Sequence, residues 1–162
     1  DFHRRMEAIE AVKKSGMKLA SGNIVDYPGH SLEKMADDIE LMRKLDISWA
    51  PVVPYMPAAN TPLAVEGGRG SLELILREIA ILRLMMPQVN ITAGQPGEDP
   101  KNGFGDRQGN LDAIAAGANV LFADLLPAGK ADAFHVVDNR NLPGLKHMET
   151  MSRLSCLELN MG

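Results

Sequence analysis

Residues able to do chemistry are sparse in this chain, and their spacing narrows the chemistry further. Cys156 is alone, so no internal disulfide forms and no thiolate pair can hold zinc or an iron–sulfur cluster. The histidines His3, His30, His135 and His147 stand at no metal-ligand spacing. Surface or helix-capping roles account for them, with His30, just after an apolar run, the best placed to line a site. No Gly-x-Ser-x-Gly supplies a nucleophile, and no Gly-x-x-x-x-Gly-Lys cradles a phosphate. Asp26 and Asp124 each stand where an apolar run gives way to a loop. A carboxylate there either faces a ligand or caps the next helix. Glu98-Asp99 reads as solvated charge in a glycine-rich loop. Arg5 is either a solvated charge or a fork able to hold a carboxylate in two places.

The elements that must position these groups alternate between helix and strand. Phe2, Met6, Ile9 and Val12 recur at helical spacing over 2–15, and Gly16 stops that helix. Lys18 to Val25 reads as a strand, closed by the turn Tyr27-Pro28-Gly29-His30. Ser31 caps a helix over 32–45, and 47–53 reads as a second strand before a long loop over 54–70. Ser71 caps a helix over 72–86 that is apolar nearly all round and should be well buried. A strand over 89–93, a loop over 94–109, a short helix over 111–116, a strand over 119–123, a loop over 125–142 and a helix over 143–155 complete the pattern.

This alternation predicts an α/β fold with a parallel sheet and right-handed crossovers. The absence of Gly-x-Gly-x-x-Gly after the first strand removes the dinucleotide-binding unit. About four strand–helix units make half of a (β/α)8 TIM-type barrel with outer helices. The strands should follow sequential order, with Ile24, Val53 and Phe122 on an open concave face. Two unpaired strand edges would invite self-association. The helical stripe that begins at Phe2 reads as the interior of a larger protein.

Composition removes several classes. The 162 residues are 45% hydrophobic and 23% charged, the balance of a soluble globular domain. A net charge of −4 without a basic run argues against nucleic acid. No run of about 18 apolar residues points to a membrane span, and no signal-peptide pattern opens the chain. The lone cysteine fits a reducing, cytoplasmic setting. The ten methionines read as flexible core filling.

Several stretches together resemble a known family. Arg5-Met6-Glu7-Ala8-Ile9 with Ser21-Gly22-Asn23-Ile24-Val25 and Tyr27-Pro28-Gly29 resembles the fifth-strand region of radical S-adenosylmethionine (SAM) enzymes. Pro54-Tyr55-Met56-Pro57 with Asn60-Thr61-Pro62-Leu63-Ala64 is similar to the sixth-strand loop of the biotin synthase group. Leu82 to Pro87 with Ile91-Thr92-Ala93-Gly94, and Ala116 to Val120, resemble its seventh- and eighth-strand regions. The group comprises biotin synthase, the [FeFe]-hydrogenase maturase and methylornithine synthase. The resemblance runs over about residues 3–126 and leans toward the maturase through residues 54–64.

It implies that residues 1–162 form barrel strands five to eight, with a biotin and thiamin synthesis associated region over about 72–155. The whole enzyme would cleave SAM to a 5′-deoxyadenosyl radical acting on a small organic substrate. The [4Fe–4S] cluster would be held by Cys-x-x-x-Cys-x-x-Cys in the N-terminal half of the same barrel. That motif is not in this sequence, so the chain alone is expected to carry no metal and no catalytic residue. By the same resemblance Arg5 binds the SAM carboxylate. Gly22 gives close backbone approach, Ile24 packs on the adenine, and Val53 and Pro54 read its edge. Thr92, Gln95, Phe122 and Asp124 line the substrate cavity.

Three departures matter. Ala20 and Gln95 stand where biotin synthase ligates its sulfur-donating [2Fe–2S] cluster, which disfavours that activity. Asp26 replaces the usual glycine and would crowd the nucleotide. Biotin synthase-like or methylornithine synthase-like activity remains an alternative, as does a non-catalytic scaffold or partner-binding piece. An ordinary barrel lyase would need a Schiff-base lysine at a strand end, and none is present.

Overall fold

The computed structural model describes residues 1–93, 100–125, 130 and 143–160. Its helices begin where the capping residues require. α1 (Phe2–Lys14) starts at Asp1, whose carboxylate accepts the His3 N–H at 3.0 Å. α2 (Leu32–Lys44) starts at Ser31, and α3 (Leu72–Met85) at Ser71, each hydroxyl accepting an amide hydrogen bond three residues on. α4 (Arg107–Ala116) starts at Asp106, which accepts from Gly109 N–H at 2.7 Å. These contacts satisfy amides that a helix leaves unpaired at its first turn. α5 (Leu145–Ser155) ends at Cys156, an exposed residue in the left-handed region at φ 56°.

Strands are shorter than the sequence predicts. Lys18–Val25 reduces to an isolated bridge at Ala20 and β1 (Ile24–Val25). The second predicted strand splits into β2 (Trp49–Ala50) and β3 (Val53–Pro54). Pro51 lies at the break, and a proline has no N–H for a ladder. The register nevertheless runs through the gap: Ala20 pairs with Trp49, Ile24 with Val53, and Val25 with Pro54. On the other side β2 pairs in parallel with β4 (Asn90–Ile91). The predicted strand over 119–123 keeps one bridge, Thr92 to Val120, where Ala93 N–H donates to Val120 O at 2.6 Å. Two small parallel sheets therefore lie along four segments in sequential order, and the described residues form no closed barrel.

Gly22 explains why the ladder opens where it does. A Cβ at this position would lie 2.0 Å from Pro51 O and 2.6 Å from Pro51 C. Only glycine lets the two backbones approach this closely. Gly22→Ala must push them apart, and we expect a loss of about 1–3 kcal/mol. A urea midpoint measured at unchanged slope checks this.

Alternation along the strands separates two faces. Val25, Ala50, Val52, Ile91 and Ala93 are buried against Met35, Ile39 and Met42 of α2 and Ile75, Ile79 and Leu82 of α3. Ala20, Gly22 and Ile24 are exposed on the opposite face. α3 departs from its expected all-round burial. Ile81 and Leu84 are 41% and 81% exposed, because an outer helix turns only one side to the sheet.

The loop expected over 94–109 also gives way. It holds a 3-10 segment, Pro100–Gly105, and the first turn of α4. Gly109 and Asn110, weak helix formers, hide that turn in the sequence. His147 is a bridge between helices rather than a surface group. Its Nε2 lies 2.9 Å from Asn110 Oδ1, and burial holds its pKa below the ordinary value.

Candidate functional site

The exposed sheet face and the adjoining strand ends carry the candidate residues. Ile24 and Val53 are register partners, and Ile24 is 50% exposed. Pro54 is buried beside Val25. The ladder continues past them, with Tyr55 N–H donating to Val25 O and Gly70 N–H to Tyr55 O, both at 2.8 Å. A Cβ on Gly70 would meet Val25 O at 2.6 Å and Tyr55 N at 2.8 Å. A glycine is thus required for the chain before α3 to lie across the ends of β1 and β3.

Asp26 occupies the left-handed region at φ 59°. Its Oδ2 accepts the Ser71 N–H at 2.8 Å, and its own N–H donates to His30 Nδ1 at 2.9 Å. The carboxylate therefore serves the N-terminus of α3, where the helix dipole favours negative charge. It does not cap α2, the next helix in sequence. His30 is stacked on Tyr27, with ring centroids 4.5 Å apart and planes 7° from parallel. Its side chain is almost fully buried, so it packs the turn instead of lining an open site.

A second group forms around Trp49, which sequence reasoning missed. The indole N–H donates to Thr92 Oγ1 at 3.1 Å, and its ring lies 6.0 Å from Phe122, centroid to centroid. Thr92 and Phe122 are thus brought together, through a third residue. The available signal was parity, because Trp49 shares a sheet face with Val53, four residues on. Asp124 is half-buried, and its N–H donates to Pro143 O at 2.9 Å. Gln95 lies outside the described residues. Arg5 is exposed early in α1, in no hydrogen bond or ion pair that joins it to the strand residues.

Among the described residues no three His, Cys, Asp or Glu side chains come together to hold a metal. No described helix is long and apolar enough to cross a membrane. A groove of about 550 Å³ lies elsewhere, between Ile114, Val120, Leu145, Met148 and Leu157. None of the candidate residues lines it, and Glu158 is its one ionisable side chain. Glu78 of α3 is the other group that sequence reasoning missed. It is fully buried, and burial pushes its carboxyl up to about 7.

Comparison with known proteins gives the family context. The chain is 33% identical over 130 residues to biotin synthase of Anaeromyxobacter sp. (strain K), covering 80% of this chain and 35% of that protein. It is 30% identical over 139 residues to biotin synthase 2 of Paracoccus denitrificans, covering 81% and 40%. It is 29% identical over 92 residues to the [FeFe] hydrogenase maturase subunit HydE of Thermotoga maritima, covering 57% and 26%. This homology places the chain in the radical-SAM superfamily of biotin synthase and HydE. It does so at the level of the superfamily and selects no single member. The chain spans about a third of the length of the curated relatives it matches. No family model matches it.

Proposed function

We propose that the chain is the nucleotide- and substrate-facing half of a radical-SAM barrel, and that it does no chemistry by itself. Its partner is the cluster-bearing half of that barrel. The observation that carries this reading is the sheet face that the described residues leave exposed. Four parallel segments in sequential order present Ile24, Val53, Trp49 and Phe122, with Thr92 fully buried and hydrogen-bonded to the indole, in a chain homologous to enzymes of this superfamily.

The residues present fit SAM. Ile24 offers half-exposed apolar surface for an adenine, Gly22 leaves the backbone bare beside it, and Arg5 is an exposed guanidinium able to grip a carboxylate. SAM would supply the radical precursor. The chain's own residues would bind it, orient it and exclude water from the substrate side. The residues present do not fit a [4Fe–4S] cluster, since Cys156 is the one thiol.

Three biotin synthases match about 80% of the chain, while four others match 54–56% and the maturase 57%, which supports a barrel of this group. Ala20 and Gln95, at the positions the resemblance gives to cluster ligands, favour chemistry other than sulfur insertion. Small organic substrates suit a face lined by Trp49 and Phe122, with Thr92 fully buried and hydrogen-bonded to the indole.

The test joins this chain to the Cys-x-x-x-Cys-x-x-Cys half of a biotin synthase. The fusion should bind about four irons and release 5′-deoxyadenosine from SAM under reductant. The chain alone should bind no stoichiometric iron. A folded, iron-loaded fusion that leaves SAM intact would contradict the reading.

A further inference from the structure

The layer between the sheet and the outer helices holds a cluster that the functional reading does not use. Glu78 is fully buried in α3, and neither carboxyl oxygen has a hydrogen bond of good geometry, Asn23 being the donor that acts on it. It faces Asn23, in the run leading into β1, and Asp38 of α2. Asn23 Nδ2 is directed to Asp38 Oδ2 at 3.4 Å, and Asn23 Oδ1 is buried without a partner. His30 Nε2 lies 3.7 Å from the same Asp38 oxygen and is also buried without a hydrogen bond.

Asp38 is the one charge among the described residues acting on Glu78, and it repels an ionised carboxylate. No described cation neutralises it. A buried carboxylate without a partner is costly, whereas the neutral acid is far less so. Glu78 sits two turns beyond Ser71, the residue whose N–H is held by Asp26 at the end of β1.

We propose that Glu78 is a proton-operated latch: the neutral acid lets α3 stay seated on Asn23 and α2, and its ionisation lifts the first half of α3 and breaks the Ser71–Asp26 contact. The moving element is the N-terminal half of α3 with the chain that crosses the strand ends. The latch does not depend on which reaction the barrel performs.

The pH range follows from the carboxyl's two settings. Unfolded, it titrates near 4.5; folded, it titrates at about 7, raised first by burial and then by Asp38, against the lowering effect of Asn23. Between those values the folded chain keeps a proton that the unfolded chain has lost, so folding weakens as pH rises. From about pH 5 to about pH 8 this amounts to roughly a 70-fold fall in the folding equilibrium constant.

The experiment compares the full chain with Glu78→Gln, by urea denaturation and by amide hydrogen exchange at Ser71 and Ile75. The parent should lose stability and amide protection as pH rises from about 5 to about 7 and level off above that, after correction for intrinsic exchange. Glu78→Gln, which mimics the neutral acid, should hold both constant. His30 and Asp38 belong to the same cluster, so the variant and not pH alone assigns the effect. Equal pH dependence in Glu78→Gln would overturn the latch. If that variant aggregates, 13C titration of the Glu78 carboxyl in the parent decides: a midpoint near the ordinary 4.5 overturns it, and one near neutrality supports it.

Discussion

Replacing Arg83 by alanine should lower the stability of the chain by about 2–4 kcal/mol. Its guanidinium closes the C-terminal end of α3 onto two other stretches, 87–89 and 117–119. Nε donates to Gly117 O at 2.8 Å, and Nη1 donates to Pro87 O at 2.7 Å and to Val89 O at 2.9 Å. Nη2 donates to Asn119 Oδ1 at 3.1 Å. The same Asn119 oxygen accepts Ile91 N–H at 2.8 Å, beside the bridge to Val120. The stem packs under Gly117, where a Cβ would meet Arg83 Cβ at 2.8 Å.

Hydrogen bonds to a charged group contribute about 1.5–3 kcal/mol each when sheltered, and less at the surface. Two of these four are partly buried, which sets the range. Arg83→Lys should recover less than half, because an ammonium cannot span carbonyls in a fork. Urea midpoints of the three proteins measure it. A loss below about 1 kcal/mol in Arg83→Ala would mean that solvent replaces these bonds without penalty.

The helices were legible because their signals are local. Ser31 and Ser71 sit at helix starts, and the apolar spacing of α2 matches its buried residues Met35, Ile39 and Met42. Parallel order was legible too, since strands separated by helices admit few topologies. The break at Gly22 and Pro51 was not, because it depends on two backbones meeting from 29 positions apart. The role of Asp26 was half visible. A carboxylate after a strand suggests a cap, but the helix it serves begins 45 residues later. Trp49 was hidden inside an apolar run, where its parity with Val53 was the one signal that set it on the open face. Glu78 was hidden by its neighbours, for a charged residue in an outer helix ordinarily faces water.

Arg5→Ala should weaken SAM binding by about 10- to 150-fold once the barrel is complete. A bidentate guanidinium–carboxylate pair contributes roughly 1.5–3 kcal/mol, and each 1.4 kcal/mol is tenfold in affinity. In the chain itself Arg5 is exposed, so its removal should leave folding unchanged. That separates a binding role from a structural one. Arg5→Lys should restore little, since an ammonium holds one oxygen where the fork holds two. Ile24→Ala should cost less, on the order of 1 kcal/mol of apolar contact.

The direct test of the half-barrel account is calorimetric titration of SAM into the reconstituted fusion, parent against Arg5→Ala, with circular dichroism as the folding control. The account predicts a saturable parent isotherm and an affinity at least tenfold lower for the variant. Equal affinities in two equally folded proteins would contradict it, and would leave Arg5 a solvated arginine on the first helix.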